Sequence, residues 1–242
     1  MIDTVLIDLD GTLLRFSQDT FVNTYLAEIK KVFAGPDTNA DASIKALLSG
    51  TKSMITNNGE MLNSQRFWEK FADCLGLTAE QVQATDIACN NFYTNEFNIV
   101  KSVAEPTDIS QRLVRTLVSK GYGVVLATNP LFPECAVTTR LEWIGLTTQD
   151  FQLVTHYANS TYCKPNLKYY QEVFTKIGKE PTQCLMAGNN LVDDMCVSAL
   201  GTETFLVTDY LENEAGEDIT AYRRGTLAEL EIYLASLPDI KR

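Results

Sequence analysis

The chain has 242 residues, 45% of them hydrophobic and 21% charged, with a net charge of −11. That composition supports a sizeable core in one large domain or two smaller ones and excludes a disordered chain. The acidic balance argues against nucleic acid as a partner, because a phosphate backbone needs a basic face, although a few local donors can still hold a small phosphate.

Val5-Leu6-Ile7 is a short, branched apolar run that stops at Asp8-Leu9-Asp10-Gly11-Thr12, which predicts a buried strand with acids at its C-terminal end. From about Ser17 to Val100 the spacing becomes helical: Phe21, Tyr25 and Ile29, then Ile44, Leu47 and Thr51, then Phe67, Phe71 and Leu75, then Val82, Ile87 and Phe92. Gly35-Pro36, Asn57-Asn58-Gly59 and Gly76 punctuate this stretch, predicting about four helices and no strand. After Pro106 the pattern alternates. A helix is expected from Ile109 to Val118, a strand at Val124–Ala127, a helix at Glu134–Trp143 and a strand at Phe151–Val154. A helix at Asn166–Ile177, a strand at Cys184–Ala187, a helix at Leu191–Leu200, a strand at Thr204–Val207 and a helix at Leu227–Leu237 complete the chain.

Apolar strands alternating with helices predict an α/β fold, a doubly wound Rossmann-like parallel sheet with strands buried on both faces. Ligands of such sheets sit beyond the C-terminal strand ends. Three polar clusters fall there: Asp8 and Asp10, Thr128 and Asn129, and Asn189 through Asp194. The helical stretch follows the first strand, so it reads as an inserted cap over that edge, with residues 16–102 in the cap and 1–15 and 103–242 in the α/β core. Its connections near Leu14–Gln18 and Val100–Glu105 are the expected hinges.

No apolar run approaches the roughly 20 residues of a membrane span. Met1-Ile2-Asp3-Thr4 leads directly into the first strand, without a signal-like segment. Cys74, Cys89, Cys135, Cys163, Cys184 and Cys196 have no paired spacing and read as reduced packing residues in a cytoplasmic protein. The single histidine, His156, has no partner visible in the sequence and is given no catalytic role. Trp68 and Trp143 read as core or interface anchors.

Read locally, Asp8-Leu9-Asp10-Gly11 suits either a turn with Asx hydrogen bonds or two carboxylates converging after a sharp exit at Gly11. Thr128 suits a helix cap, Lys164 an exposed lysine before a proline-started helix, and Asn189–Asp194 a helix start with acids in its first turn. Together, however, Asp8-Leu9-Asp10-Gly11-Thr12-Leu13-Leu14, Thr128 in Leu126-Ala127-Thr128-Asn129, Lys164 in Cys163-Lys164-Pro165-Asn166, and Gly188–Asp194 resemble the four motifs of the haloacid dehalogenase superfamily, in order. The helical insertion resembles that of its α-helical-cap branch, which includes phosphoglycolate phosphatase-like enzymes.

The resemblance implies a magnesium-dependent phosphatase acting on a small phosphorylated metabolite. Asp8 is then the nucleophile that becomes an aspartyl phosphate, and Asp10 the acid and base. Thr128 and Lys164 stabilise the transferring group. Gly11, Thr12 and Asn129 are expected around the phosphate, with Arg15 and Lys52 reaching it from the hinge and cap, where Phe16 and Asn57 are further candidates. Asp8 and Asp10 are expected to hold Mg²⁺ with Asn189 or Asn190 and with Asp193 or Asp194. The family's usual acid after that strand is here an asparagine, whichever register applies, so weaker magnesium binding is expected. A phosphomutase of the same fold and a metabolite-binding protein with a decayed metal site are the alternatives. Dehalogenase chemistry would require neither Asp10 nor a metal, and phosphonate cleavage would need a suitably placed cap lysine.

Overall fold

The computed structural model describes residues 1–34 and 39–240. Strands β1 (Thr4–Ile7), β2 (Gly123–Leu126), β3 (Leu153–Val154), β4 (Cys184–Gly188), β5 (Glu203–Val207) and β6 (Arg224–Gly225) form one sheet in the order β3-β2-β1-β4-β5-β6. Every pairing is parallel. The two-residue β6 has no apolar run to mark it, and it extends the sheet beyond the five expected strands. β3 is shorter than predicted, starting at Leu153 rather than Phe151, and a 3₁₀ turn at Thr148–Asp150 precedes it.

Alternate strand residues face opposite sides of the pleat. Val5, Ile7, Val124, Leu126, Leu185 and Ala187 share one apolar cluster with Leu113 and Leu117 of α5 (Ile109–Ser119) and Leu230 and Leu234 of α8 (Leu227–Ser236). Leu6, Val125 and Met186 pack on the other face against Tyr169, Val173 and Phe174 of α7 (Leu167–Ile177). Burial of each such side chain stabilises by roughly 1.5–3 kcal/mol. This explains why the apolar β1 anchors the sheet centre, and why Asp8, the next residue, needs polar partners to stay there.

Between β1 and α5 the described residues form helices only: α1 (Gln18–Val32), α2 (Ala40–Ile55), α3 (Asn63–Leu75), α4 (Ala79–Thr94) and a 3₁₀ helix at Glu96–Val103. The expected Gly35-Pro36 break lies outside the described residues. Phe16 stacks on Phe21 at 4.6 Å, and both belong to the same apolar cluster as Val5 and Ile7. The helical stretch and the sheet are therefore joined by continuous packing. Where the chain leaves and re-enters the sheet layer, Glu105 N donates to Arg15 O at 2.8 Å.

The helix expected at Leu191–Leu200 is instead a turn followed by a 3₁₀ helix at Met195–Leu200. The Asn190 side chain accepts from the amides of Val192 and Asp193 at 2.9 and 2.8 Å, and Tyr170 donates its hydroxyl to Asp193 O at 2.7 Å. These bonds occupy groups that a regular first helical turn would use. Helix α6 (Glu134–Trp143) follows β2 with the bounds the spacing predicts. All six cysteines are free thiols. Among the described residues, no helix is long and apolar enough to cross a membrane.

Candidate active site

β2 and β3 lie on one side of β1, and β4, β5 and β6 on the other. The order reverses between β1 and β4, and a crevice opens there beyond the strand ends. A cavity of about 100 Å³ at this point is lined by Asp8, Asp10, Thr128, Asn129, Lys164, Asn189, Asn190, Asp193 and Asp194. The three polar clusters, separated in sequence, thus meet in one place together with Lys164.

Asp8 is held at the end of β1 by its own amide, which donates to Ala187 O at 2.9 Å. Its carboxylate is buried, and Lys164 Nζ donates to Oδ1 at 2.9 Å. The same ammonium donates to Asp194 Oδ1 at 2.6 Å. Burial pushes the Asp8 carboxyl up to about 8; Lys164 opposes this, and Asp194 and Asp10 add to it. Burial alone would pull the Lys164 ammonium down, but the carboxylates of Asp194 and Asp8 outweigh it and hold the group well above its ordinary value. Lys164 is therefore a fixed buried cation.

Gly188 makes the close approach of Asp194 possible. A Cβ at Gly188 would lie 2.1 Å from Asp194 Oδ2, and that oxygen accepts from Asn190 N at 3.0 Å. Gly11 plays a matching part in the β1 turn. Its φ is +79°, and a Cβ there would sit 2.3 Å from Asn189 Nδ2. Thr12 is buried and donates its hydroxyl to Asn189 Oδ1 at 3.0 Å, while Asn189 Nδ2 donates to Tyr210 O at 2.6 Å. Asn189 ties the β1 turn to the loop after β5, and both functions of its amide are in use. Asn190 is committed too: its Oδ1 caps the turn, and its Nδ2 donates to Glu212 Oε2 at 2.7 Å.

Thr128 follows β2, and its carbonyl accepts from Thr155 Oγ1 at 2.7 Å and Tyr169 OH at 3.0 Å. Asn129 Nδ2 donates to Asp193 Oδ2 at 3.1 Å, and Asn129 Oδ1 is buried without a partner. Burial raises Asp193, with Lys164 opposing and Asp194 adding.

Arg15 and Lys52 are not brought to this cavity. Arg15 pairs with Glu105 and Asp209, and Lys52 is exposed on α2. Phe16 is core, and Asn57 donates to Met61 O in its own loop and to Asn63 Oδ1 at the start of α3. His156 lies outside the cavity, with burial lowering its pKa.

Arg140 and Glu212 are site residues that the sequence reading missed. Arg140, on α6, is fully buried and ion-pairs with Asp10 Oδ2. Its guanidinium lies 4.4 Å from the Phe132 ring centroid. The available signal was a charged residue among the inward positions Ala136, Val137 and Leu141 of α6. Glu212 lies in a polar loop after β5 and carries no such signal. Burial raises its carboxyl, as do Asp194, Asp193 and Asp10, against the Asn190 hydrogen bond.

Asp8, Asp10, Asp193, Asp194 and Glu212 face a cavity whose lining contains one cation, Lys164. Asp10 Oδ1 is buried without a partner. A site this rich in hard oxygens and short of positive charge fits a divalent cation such as Mg²⁺. Among the described residues no three Asp, Glu, His or Cys side chains converge as a ligand cluster.

Residues 2–195 match the family model described as "Hydrolase: haloacid dehalogenase-like hydrolase". A haloacid dehalogenase-like phosphatase from Thermococcus onnurineus superposes with a TM-score of 0.59 at 18% identity, covering 99% of this chain and 100% of that one. A predicted phosphoglycolate phosphatase from Haemophilus somnus 129pt gives 0.58 at 19%, covering 96% and 97%. The L-2-haloacid dehalogenase of Xanthobacter autotrophicus gives 0.55 at 14%, covering 98% and 100%. At these identities the likeness is one of fold. No curated protein matches the chain.

Proposed function

The chain belongs to the haloacid dehalogenase-like hydrolases, and from that premise we propose that it is a magnesium-dependent phosphatase acting on a small phosphorylated metabolite in the cytoplasm. The observation that carries this reading is the buried Asp8–Lys164–Asp194 arrangement with Asp10 facing the same cavity. Residues 16–102 act as its cap.

Asp8 attacks phosphorus, its Oδ–P bond forming as the bond from phosphorus to the leaving oxygen breaks. Asp10 gives that oxygen a proton, so an alcohol departs and an aspartyl phosphate remains. Asp10 then takes a proton from water, which attacks the aspartyl phosphate, releasing inorganic phosphate and restoring Asp8. Arg140, fixed on Asp10 Oδ2, keeps that carboxylate in one orientation and leaves Oδ1 for the proton. Lys164 and the Thr128 hydroxyl stabilise charge on the transferring group, and Asn129 supports the phosphate from the same loop. Mg²⁺ would be held by the Asp8 carboxylate and the Asp10 main-chain carbonyl, with Asp193, Asp194 and Glu212 as further acids of the same cavity, and would supply electrostatic stabilisation of the phosphoryl oxygens. Both asparagines are engaged elsewhere, which is consistent with weak magnesium binding.

The likeness to dehalogenases is weighed against Asp10, which dehalogenation does not require. Phosphate release from p-nitrophenyl phosphate, with and without Mg²⁺, tests the proposal. Asp8→Asn is expected to lower turnover more than about a thousandfold, and chelation to abolish most of the wild-type rate. Unchanged turnover in Asp8→Asn would reject the aspartyl-phosphate route. No release from a broad panel at high Mg²⁺ would reject the phosphatase.

A further inference from the structure

A second cavity, of about 190 Å³, lies among α1–α4 and the loop after β2. Gln18, Leu131 and Phe132 line both this cavity and the one at the strand ends. Phe132 also carries the guanidinium of Arg140, which holds Asp10. The larger cavity thus adjoins the acid that would protonate a departing oxygen.

Its wall is aromatic and aliphatic, built from side chains such as Phe21, Phe67, Trp68, Phe71 and Leu47. Several of the polar groups in it are already hydrogen-bonded. Tyr25 and Tyr93 share a hydrogen bond of 2.6 Å between their hydroxyls. Asn90 donates to Asp86 at 3.0 Å and accepts from Cys135 at 3.1 Å, and Thr51 donates to Leu47 O at 3.0 Å. A sugar placed here would give up its hydrogen bonds to water and find few free partners. Among the described residues no lysine, arginine or histidine lines the cavity, and Asp86 does, so a second phosphate or a carboxylate would meet the wrong charge. For size, a dry apolar cavity of about 150 Å³ holds a benzene molecule.

We propose that this cavity takes the leaving group of the substrate, and that the substrate is a phosphate monoester of an apolar alcohol or phenol: one aromatic ring, or a branched chain of about six carbons. This rests on the phosphatase reading of the strand-end cavity.

Two measurements on the full chain test it. The first is phosphate release from n-alkyl phosphates, ethyl to hexyl, beside phenyl phosphate, glucose 6-phosphate and ribose 5-phosphate. kcat/KM is expected to rise by about fourfold per methylene, the equivalent of about 0.8 kcal/mol for each buried CH₂, with both sugar phosphates below phenyl phosphate. The second is binding of phenol, followed by Trp68 fluorescence and by calorimetry. Val22→Phe, which narrows the cavity, is expected to weaken phenol at least about tenfold, in line with lost apolar burial, and to flatten the alkyl series; Leu47→Phe provides an independent filling variant. Phosphate released from sugar phosphates as efficiently as from hexyl phosphate, or a flat alkyl series, would overturn the cavity assignment and leave the phosphatase standing. Phenol bound without phosphate release from any ester would overturn the phosphatase reading, and with it the ligand's role as a leaving group.

Discussion

Asp8 sits where an apolar strand ends, and its surroundings work against its charge. Burial pushes its carboxyl up to about 8 even with Lys164 at 2.9 Å. In the unfolded chain the same group titrates at about 3.9. Between those values the folded protein holds a proton that the unfolded chain has released, so this residue lowers stability as pH rises toward 8. Asparagine has no proton to lose. In chelator-treated protein, Asp8→Asn is expected to gain thermal stability over wild type, by a margin that widens from pH 5 to pH 8. Melting curves at several pH values measure it, and a margin independent of pH would mean that Asp8 stays ionised throughout. Asn189 follows the opposite logic. It must donate to Tyr210 O and accept from Thr12, a combination that an ionised aspartate cannot provide.

At the scale of elements, the site depends on how closely β4 lets its neighbours approach. A methyl group at Gly188 would fall 2.1 Å from the Asp194 carboxylate, inside a strand that is buried along its whole length. Gly188→Ala is expected to displace Asp194 from Lys164 and cost about 1–3 kcal/mol, as overpacking does. Denaturant unfolding should show that loss together with a fall in kcat larger than the change in KM; wild-type turnover would mean that Asp194 can move without consequence. Most of this layer was legible in the sequence, because strands buried on both faces leave unbroken apolar runs and helices leave a 3.6-residue period. Asp8, Asp10, Thr128 and Lys164 stood out in the sequence only through their resemblance to the family's motifs, and the fold brings all four to one cavity. Glu212 was not, since only folding brings its loop beside Asn190. The 3₁₀ helix at Met195–Leu200 read as an α-helix because its apolar spacing is helical, while the Asn190 and Tyr170 hydrogen bonds that shorten it come from tertiary structure. Arg15 was expected at the phosphate, but its charge is spent on Glu105 and Asp209.

Over the whole molecule, Arg15 joins three distant parts of the chain: the exit from β1, the return to the sheet layer at Glu105, and the loop after β5 at Asp209. The two arms differ in environment. The Glu105 side chain is 56% exposed, and that of Asp209 only 13%. Exposed ion pairs contribute about 0–1 kcal/mol and are screened by salt, whereas a partly buried pair with further hydrogen bonds contributes more. Asp209 has such a bond, accepting from Leu227 N at 2.6 Å at the start of α8. Removal of its charge weakens both the Arg15 pair and the helix start, where a negative charge is favourable. Asp209→Asn is therefore expected to lower the unfolding free energy by about 1–2 kcal/mol, and Glu105→Gln by less than about 0.5 kcal/mol. Added salt should shrink the Glu105 effect and leave most of the Asp209 effect. Urea unfolding at low and high sodium chloride separates the two. Equal losses at both positions would mean that Arg15 holds the junction through the exposed arm as strongly as through the buried one.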